Sequence, residues 1–292
     1  MKRDRRWLWV ILAVLAILLA GYIFLRWWNR GVVSIKTAKV VRGPIEAVVS
    51  ASGIADAPVY ELGTKFGSKV ATVNVKEGQR VRGGMTLLEF DDLTRIVAPA
   101  NGVVAKINYD EGETVVPGSP AIVVVNYDKS WVEAQVDEID IASVKIGDRV
   151  KITSDVYPEK IFDGEIYWLA PLAELRKVGG RVKMDEESYV FPCKIKFLGG
   201  HEELKVNMSV NVDIVTKRGE NALLVPREAL VSKDDISTVF LVKKGRVYQN
   251  KIDIGIRSYT HVEAVSGVAE GDLVAVTNVA KLKDKGRVKI ER

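Results

Sequence analysis

Between residues 67 and 125 the apolar and polar positions follow one pattern written twice. Val70-Ala71-Thr72-Val73-Asn74-Val75-Lys76-Glu77-Gly78 returns as Val104-Ala105-Lys106-Ile107-Asn108-Tyr109-Asp110-Glu111-Gly112, at a constant offset of 34 residues. The register continues without a gap, matching Val81 to Val115, Gly84 to Gly118, Leu88 to Ile122 and Phe90 to Val124. Each copy reads as a strand, a glycine turn and a second strand. Neither can bury its apolar face alone, so the repeat predicts two copies packed as a small sandwich. Glu77-Gly78 and Glu111-Gly112 end one strand of each copy, and Gly83-Gly84 and Pro117-Gly118 turn into the next. Proline presets φ near about −65° and glycine accepts positive φ, which suits Pro117-Gly118 to the centre of a type II turn. Gly78, Gly84, Gly102, Gly112 and Gly118, with Pro99 and Pro117, read as backbone devices rather than ligand contacts.

Further along, Val132, Ala134 and Val136 alternate with Glu133, Gln135 and Asp137, and residues 205–214 alternate more clearly still. With strands predicted over residues 149–153, 162–169 and 189–197, and a helical turn over 138–144, this region reads as a compact antiparallel barrel. Residues 171–187 are charged, with Gly179-Gly180 at their centre, and read as a solvated loop. Residues 34–57 alternate irregularly and predict two strands with a corner at Gly43-Pro44. A third unit opens at Ala222. It holds a hairpin turning at Lys243-Lys244-Gly245-Arg246, and a closing strand after Glu270-Gly271.

The N-terminus follows another rule. Residues 7–25 form an uncharged apolar run of 19 residues, which as a helix reaches roughly 28 Å and crosses a hydrocarbon core. Trp7, Trp9, Trp27 and Trp28 sit near its ends, where indoles favour the interface. The run exceeds the usual apolar region of a signal peptide, and no small-x-small cleavage site follows. Four basic residues precede it and only Arg26 and Arg30 follow closely, so residues 1–6 are predicted to be cytoplasmic and the bulk of the chain outside. The net charge of +5 resides in the first 30 residues, which argues against a nucleic-acid surface. Cys193, the single cysteine, cannot form an intrachain disulfide and reads as a small apolar residue in a strand. The run from Lys281 to the C-terminus carries six basic and two acidic residues, read as a solvated final strand or as a contact with lipid headgroups or a transporter.

Ile96-Val97-Ala98-Pro99-Ala100-Asn101-Gly102-Val103-Val104, with Glu111-Gly112 and Pro117-Gly118 after it, resembles the second half of a lipoyl-type, or barrel-sandwich hybrid, domain. More specifically it is similar to that domain in the periplasmic adaptor, or membrane fusion protein, family of efflux and secretion systems. The Trp131-Val132 opening, Glu138-Ile139-Asp140-Ile141, and a Lys-x-Gly-Met step in which Asn207 stands for the glycine resemble the family's β-barrel domain. The resemblance implies a mostly β chain with one N-terminal transmembrane helix at 7–28 and three domains in a row. These are a lipoyl-like domain at 58–129, a β-barrel at 42–57 with 130–219, and a β-rich membrane-proximal domain at 34–41 with 220–292. The family usually inserts a long helical hairpin between the lipoyl halves. Here only Asp91, Asp92, Leu93, Thr94 and Arg95 stand at that position, so the hairpin is missing.

Chemistry is sparse. His201 and His261 have no partners at metal-ligand spacing, and no nucleophile elbow, phosphate loop or dinucleotide fingerprint occurs, so enzymatic activity, a cofactor and a metal are not expected. A lipoyl or biotinyl carrier needs a lysine at the tip between the halves, where Asp91-Asp92-Leu93-Thr94 has none. The resemblance implies an adaptor working with an inner-membrane transporter, ABC type preferred over RND, as a hexameric or trimeric homo-oligomer. Without the hairpin, direct contact with an outer-membrane channel is not expected. A membrane-anchored envelope protein that binds a ligand without a transporter is the alternative, and a carrier subunit is disfavoured.

Overall fold

The computed structural model describes residues 32–178, 181–182, 188–201, 203–233 and 236–291. The apolar run at 7–25 with Trp7, Trp9, Trp27 and Trp28, and the Gly179-Gly180 pair, lie outside them. No helix among the described residues is long and apolar enough to cross a membrane. The chain begins with β1 (Val33–Ile35), β2 (Thr37–Lys39), β3 (Val41–Asp56), β4 (Val59–Gly63), β5 (Ser68–Val73), β6 (Arg80–Val81), β7 (Thr86–Phe90) and β8 (Arg95–Val97). It continues through β9 (Gly102–Ile107), β10 (Thr114–Val115), β11 (Pro120–Val125), β12 (Trp131–Asp137), β13 (Arg149–Ser154), β14 (Tyr157–Leu169), β15 (Glu174–Leu175), β16 (Lys177–Val178), β17 (Arg181–Val182) and β18 (Tyr189–Phe197). Last come β19 (Ser209–Pro226), β20 (Val231–Lys233), β21 (Ile236–Lys243), β22 (Arg246–Lys251), β23 (Asp253–Arg257), β24 (His261–Ser266), β25 (Leu273–Ala275) and β26 (Val288–Ile290). The described helices are all short 3₁₀ turns. Two compact units result, one of Val48–Thr216 and one of the segment up to Ala47 with Lys217–Arg292.

In the first unit the repeat forms two four-stranded sheets, ordered β10-β5-β7-β8 and β4-β11-β9-β6. Val70, Leu88 and Phe90 and their equivalents Val104, Ile122 and Val124 are buried together in one core. The barrel in the same unit runs β13-β14-β18-β12-β3-β19, and a β13–β19 pairing closes the ring. Its inward positions are those the alternation predicts, with Val132, Ala134 and Val136 fully buried. Cys193 is in that core.

Several boundaries differ from the sequence reading. Gly43-Pro44 is no corner, because β3 runs through it for 16 residues. A Cβ at Gly43 would lie 3.0 Å from Leu224 Cδ1, so glycine admits a close neighbour there. Pro44 is exposed, and proline is tolerated in a strand where its nitrogen owes no ladder bond. The break falls instead at buried Val40, between β2 and β3, whose amide donates to Asp272 O at 2.9 Å. The strand expected from Lys205 starts at Ser209 and continues to Pro226, so Ala222 begins no new element. Asn207 adopts φ 66° just before it, where its short polar side chain tolerates the left-handed region. The helical turn shrinks to a 3₁₀ turn at Ile141–Ser143. The charged stretch after Pro171 is not wholly loop: β15 pairs with β18, and β16 pairs with β17. Arg176 bonds to Asp137 at its base.

The second unit holds a sheet ordered β2-β25-β21-β20, with β22 on β21. Lys244 and Gly245 turn β21 into β22 with φ 49° and 73°, the two positive values of a type I′ hairpin. β24 pairs with Leu224, Val225 and Pro226, and β1 lies parallel to β26.

Candidate functional site

The 34-residue offset persists down to single hydrogen bonds. Gly78 N donates to Val104 O at 2.8 Å, and Gly112 N donates to Val70 O at 2.8 Å. Val104 N donates to Gln79 O at 3.0 Å, matched by Val70 N to Glu113 O at 2.8 Å. β6 of the first copy therefore pairs with β9 of the second, and β10 of the second pairs with β5 of the first. The copies exchange their short strands and do not merely stack. Gly78, Gly84, Gly112 and Gly118 take φ of 80°, 84°, 89° and 81°, values that L side chains rarely adopt.

Glu77 and Glu111 close the exchange. Glu77 Oε1 accepts from Ile107 N at 2.9 Å, and Glu111 Oε1 accepts from Val73 N at 3.0 Å. Each carboxylate thus satisfies the last amide of the other copy's strand, a charge-assisted bond. The sequence reading took these glutamates only as strand ends. Their recurrence at the repeat offset was the available signal.

Between the halves, Asp91, Asp92, Leu93 and Thr94 form a tight turn rather than an open loop. Phe90 N donates to Thr94 O at 2.9 Å, and Leu93 N donates to Phe90 O at 2.9 Å. Asp92 accepts from Thr94 N at 2.9 Å, from Thr94 Oγ1 at 2.5 Å and from Ser68 Oγ at 3.0 Å. The Thr94 hydroxyl and then its amide hold the Asp92 carboxyl below the usual carboxylate range. Leu93 occupies the apex at φ 67° with 88% of its surface exposed. A lipoyl or biotinyl group needs a swinging lysine at this apex, so the residues present do not fit that attachment. Lys106 lies in β9, whereas Lys76 lies just past β5 and not within it.

No metal centre assembles among the described residues. The His201 ring stacks on Phe197 at 4.3 Å, and its nitrogens face Gly199 O at 2.9 Å and Tyr127 O at 3.1 Å. His261 Nδ1 sits 2.9 Å from Thr260 Oγ1. Burial pushes the Cys193 thiol up to about 12, leaving it protonated and inert at neutral pH. Native protein is therefore expected to resist an aromatic disulfide reagent at pH 8, whereas denatured protein titrates one thiol; prompt native labelling would contradict this. The linkage has a sign: the folded value lies above the ordinary 9.0. This contribution is whole below pH 9 and is lost as pH rises through about 12.

The sequence reading did not find a polar cleft of about 1,110 Å³ lined by Arg80, Arg82, Tyr127, His201 and Lys205. Lys205 Nζ lies 5.1 Å from the Tyr127 ring centre. These residues come from three separate segments and share no spacing, so only the fold gathers them. The cleft offers cations and hydrogen-bond donors but no nucleophile placed beside a base.

Residues 59–127 match the barrel-sandwich hybrid domain of RND membrane fusion proteins, and residues 130–214 match the YknX-like β-barrel domain. The Escherichia coli O157:H7 macrolide export protein MacA is 28% identical over 190 residues, covering 63% of this chain and 49% of its own. The Bacillus subtilis protein described as putative efflux system component YknX is 26% identical over 171 residues, covering 58% and 45% respectively. The chain thus spans about half the length of these curated relatives. The crystal structure of MacA from Actinobacillus actinomycetemcomitans shares the fold with a TM-score of 0.65 at 18% identity, over 82% of this chain and 99% of that one. With an intertwined head and a closed barrel consecutive in the chain, each matched in turn, the chain belongs to the membrane fusion protein family.

Proposed function

We propose that this protein is the extracytoplasmic adaptor of an export system, held in the cytoplasmic membrane by residues 7–25 and working with an inner-membrane transporter. One observation carries the reading: the head and barrel matches run consecutively over residues 59–214, in a chain whose N-terminus carries a membrane-length apolar run. The names of its relatives, a macrolide export protein and a putative efflux component, point the same way. An ABC-type transporter is preferred to an RND one on the single-span anchor and short barrel, and assembly as a hexamer or trimer follows the family pattern. The adaptor acts by binding and positioning, not by catalysis. Its four-residue tip gives it no long hairpin with which to meet an outer-membrane duct.

The tagged full chain, solubilised in mild detergent, is expected to co-purify with a membrane protein bearing a nucleotide-binding domain. Recovery as a monomer, with a small anion bound in the Arg80–Lys205 cleft and no membrane partner, would favour the ligand-binding alternative instead.

A further inference from the structure

Two basic tracts distant in the sequence share one surface of the second unit. The turn Lys243-Lys244-Gly245-Arg246 lies against the chain entering β26. Val247 N donates to Gly286 O at 3.0 Å, Val288 N donates to Gly245 O at 3.0 Å, and Arg246 faces Arg287 across an antiparallel bridge. Both tracts hold buried apolar positions among exposed basic ones. Val242, Val247, Leu282 and Val288 pack into one core, while Lys243, Lys244, Arg246, Lys283, Lys285 and Arg287 are exposed. Lys281 and Lys289 extend the surface, which carries eight basic side chains against Asp284 and Glu291. Asp284 is engaged in the fold, accepting from Gln249 N at 3.0 Å.

The bridge brings the turn and the C-terminal tract together at Arg246 and Arg287, so the basic residues of both are gathered in one region. Few residues separate the surface from the N-terminal apolar run along the chain. β1 pairs with β26 so that Val33 is opposite Val288, and Val33 N donates to Arg287 O at 3.4 Å. Val33 is eight residues beyond Leu25, a distance of at most about 30 Å even for extended chain. Protein-binding hot spots are aromatic and arginine anchors seated in pockets. An exposed surface on which six of the eight basic side chains are lysines instead suits the diffuse negative charge of a lipid surface.

We propose that this surface docks on anionic phospholipid headgroups of the membrane that residues 7–25 cross. The proposal rests on the anchor reading above.

The test reconstitutes the full chain into nanodiscs of phosphatidylcholine, with or without about a third phosphatidylglycerol, and follows acetylation of single lysines by a membrane-impermeant reagent. Lys65 and Lys69 in the head serve as internal references. Lys244, Lys283 and Lys285 are expected to label about five- to tenfold more slowly in the anionic discs only, recovering at about 0.5 M salt, where screening is short-ranged. The double variant Lys283→Glu, Lys285→Glu is expected to restore fast labelling at Lys243 and Lys244 with an unchanged circular dichroism spectrum. Equal rates in both kinds of disc would overturn the proposal whether or not the variant folds. So would protection that arises only when a membrane protein is added, which would assign the surface to a protein partner. Failure of the chain to enter discs of either composition would overturn the anchor reading and the proposal with it.

Discussion

Leu88→Ala and Ile122→Ala are each expected to destabilise the head by about 2–5 kcal/mol, the range for truncating a fully buried aliphatic side chain. Both residues are 0% exposed and occupy the same place in the two copies. Each lies in a core with Val70, Phe90, Val104 and Val124, so the methyl groups removed leave a void that exchanged strands cannot easily collapse into. The loss should be local, because the barrel has its own core around Val132, Ile152 and Ile195. Hydrogen exchange is the appropriate probe, since a chain with several cores need not unfold in one transition. Amides of β5, β7, β9 and β11 should exchange faster while those of β12 and β18 hold. Leu88→Met, which conserves volume, should cost under about 1.5 kcal/mol. If Leu88→Ala and Leu88→Met behaved alike, the packing account of the head would be wrong.

Gly102→Ala and Gly112→Ala should both destabilise the head, for different reasons that asparagine at each position separates. A Cβ at Gly102 would lie 2.6 Å from Val125 O and 2.8 Å from Val124 Cγ1. The carbonyl belongs to the paired strand β11 and cannot yield without breaking register, so a loss of about 1–3 kcal/mol is expected from overpacking. At Gly112 there is open space within 4 Å but φ is 89°, and the loss, about 1–2 kcal/mol, comes from the backbone alone. Asparagine tolerates the left-handed region, so Gly112→Asn should recover part of the stability lost in Gly112→Ala. Gly102→Asn should be worse than Gly102→Ala. Hydrogen exchange of the head amides in the four variants decides it; recovery at both positions or at neither would refute the assignment. Ser68 is the first-copy equivalent of Gly102, and its hydroxyl reaches Asp92 at the tip. The repeat is broken there in favour of the turn.

The long-range order of the head was legible because a repeat carries it: paired glycines, the buried positions and the four main strands all lie on the 34-residue offset. The exchange was not, because β6 and β10 have only two residues each and too little sequence to show a period. In the barrel, alternation located β12, whose inward positions Val132, Ala134 and Val136 are buried. It misplaced the ends of β3 and β19: Gly43-Pro44 looks like an interruption, and the strand read over residues 205–214 runs on through Ala222 to Pro226. A proline or glycine ends a strand only if the neighbouring strand needs what it lacks, and that is a property of the pairing. The cleft was illegible for the same reason, and of the basic surface only the run from Lys281 onward could be read: charges from separate segments acquire a common address only when the chain has folded.

The turn at Asp91, Asp92, Leu93 and Thr94 has one more implication. It is the sole covalent link between the halves of an intertwined head, and it joins strands already held side by side, Glu89 opposite Arg95. Lengthening such a link adds only about 0.6 kcal/mol of closure entropy per doubling. The head is therefore modular at this point. A segment whose ends lie as close as two neighbouring strands can be spliced in at the small cost of that closure entropy and of the bonds between Asp92 and Ser68 and between Asp91 and Lys69.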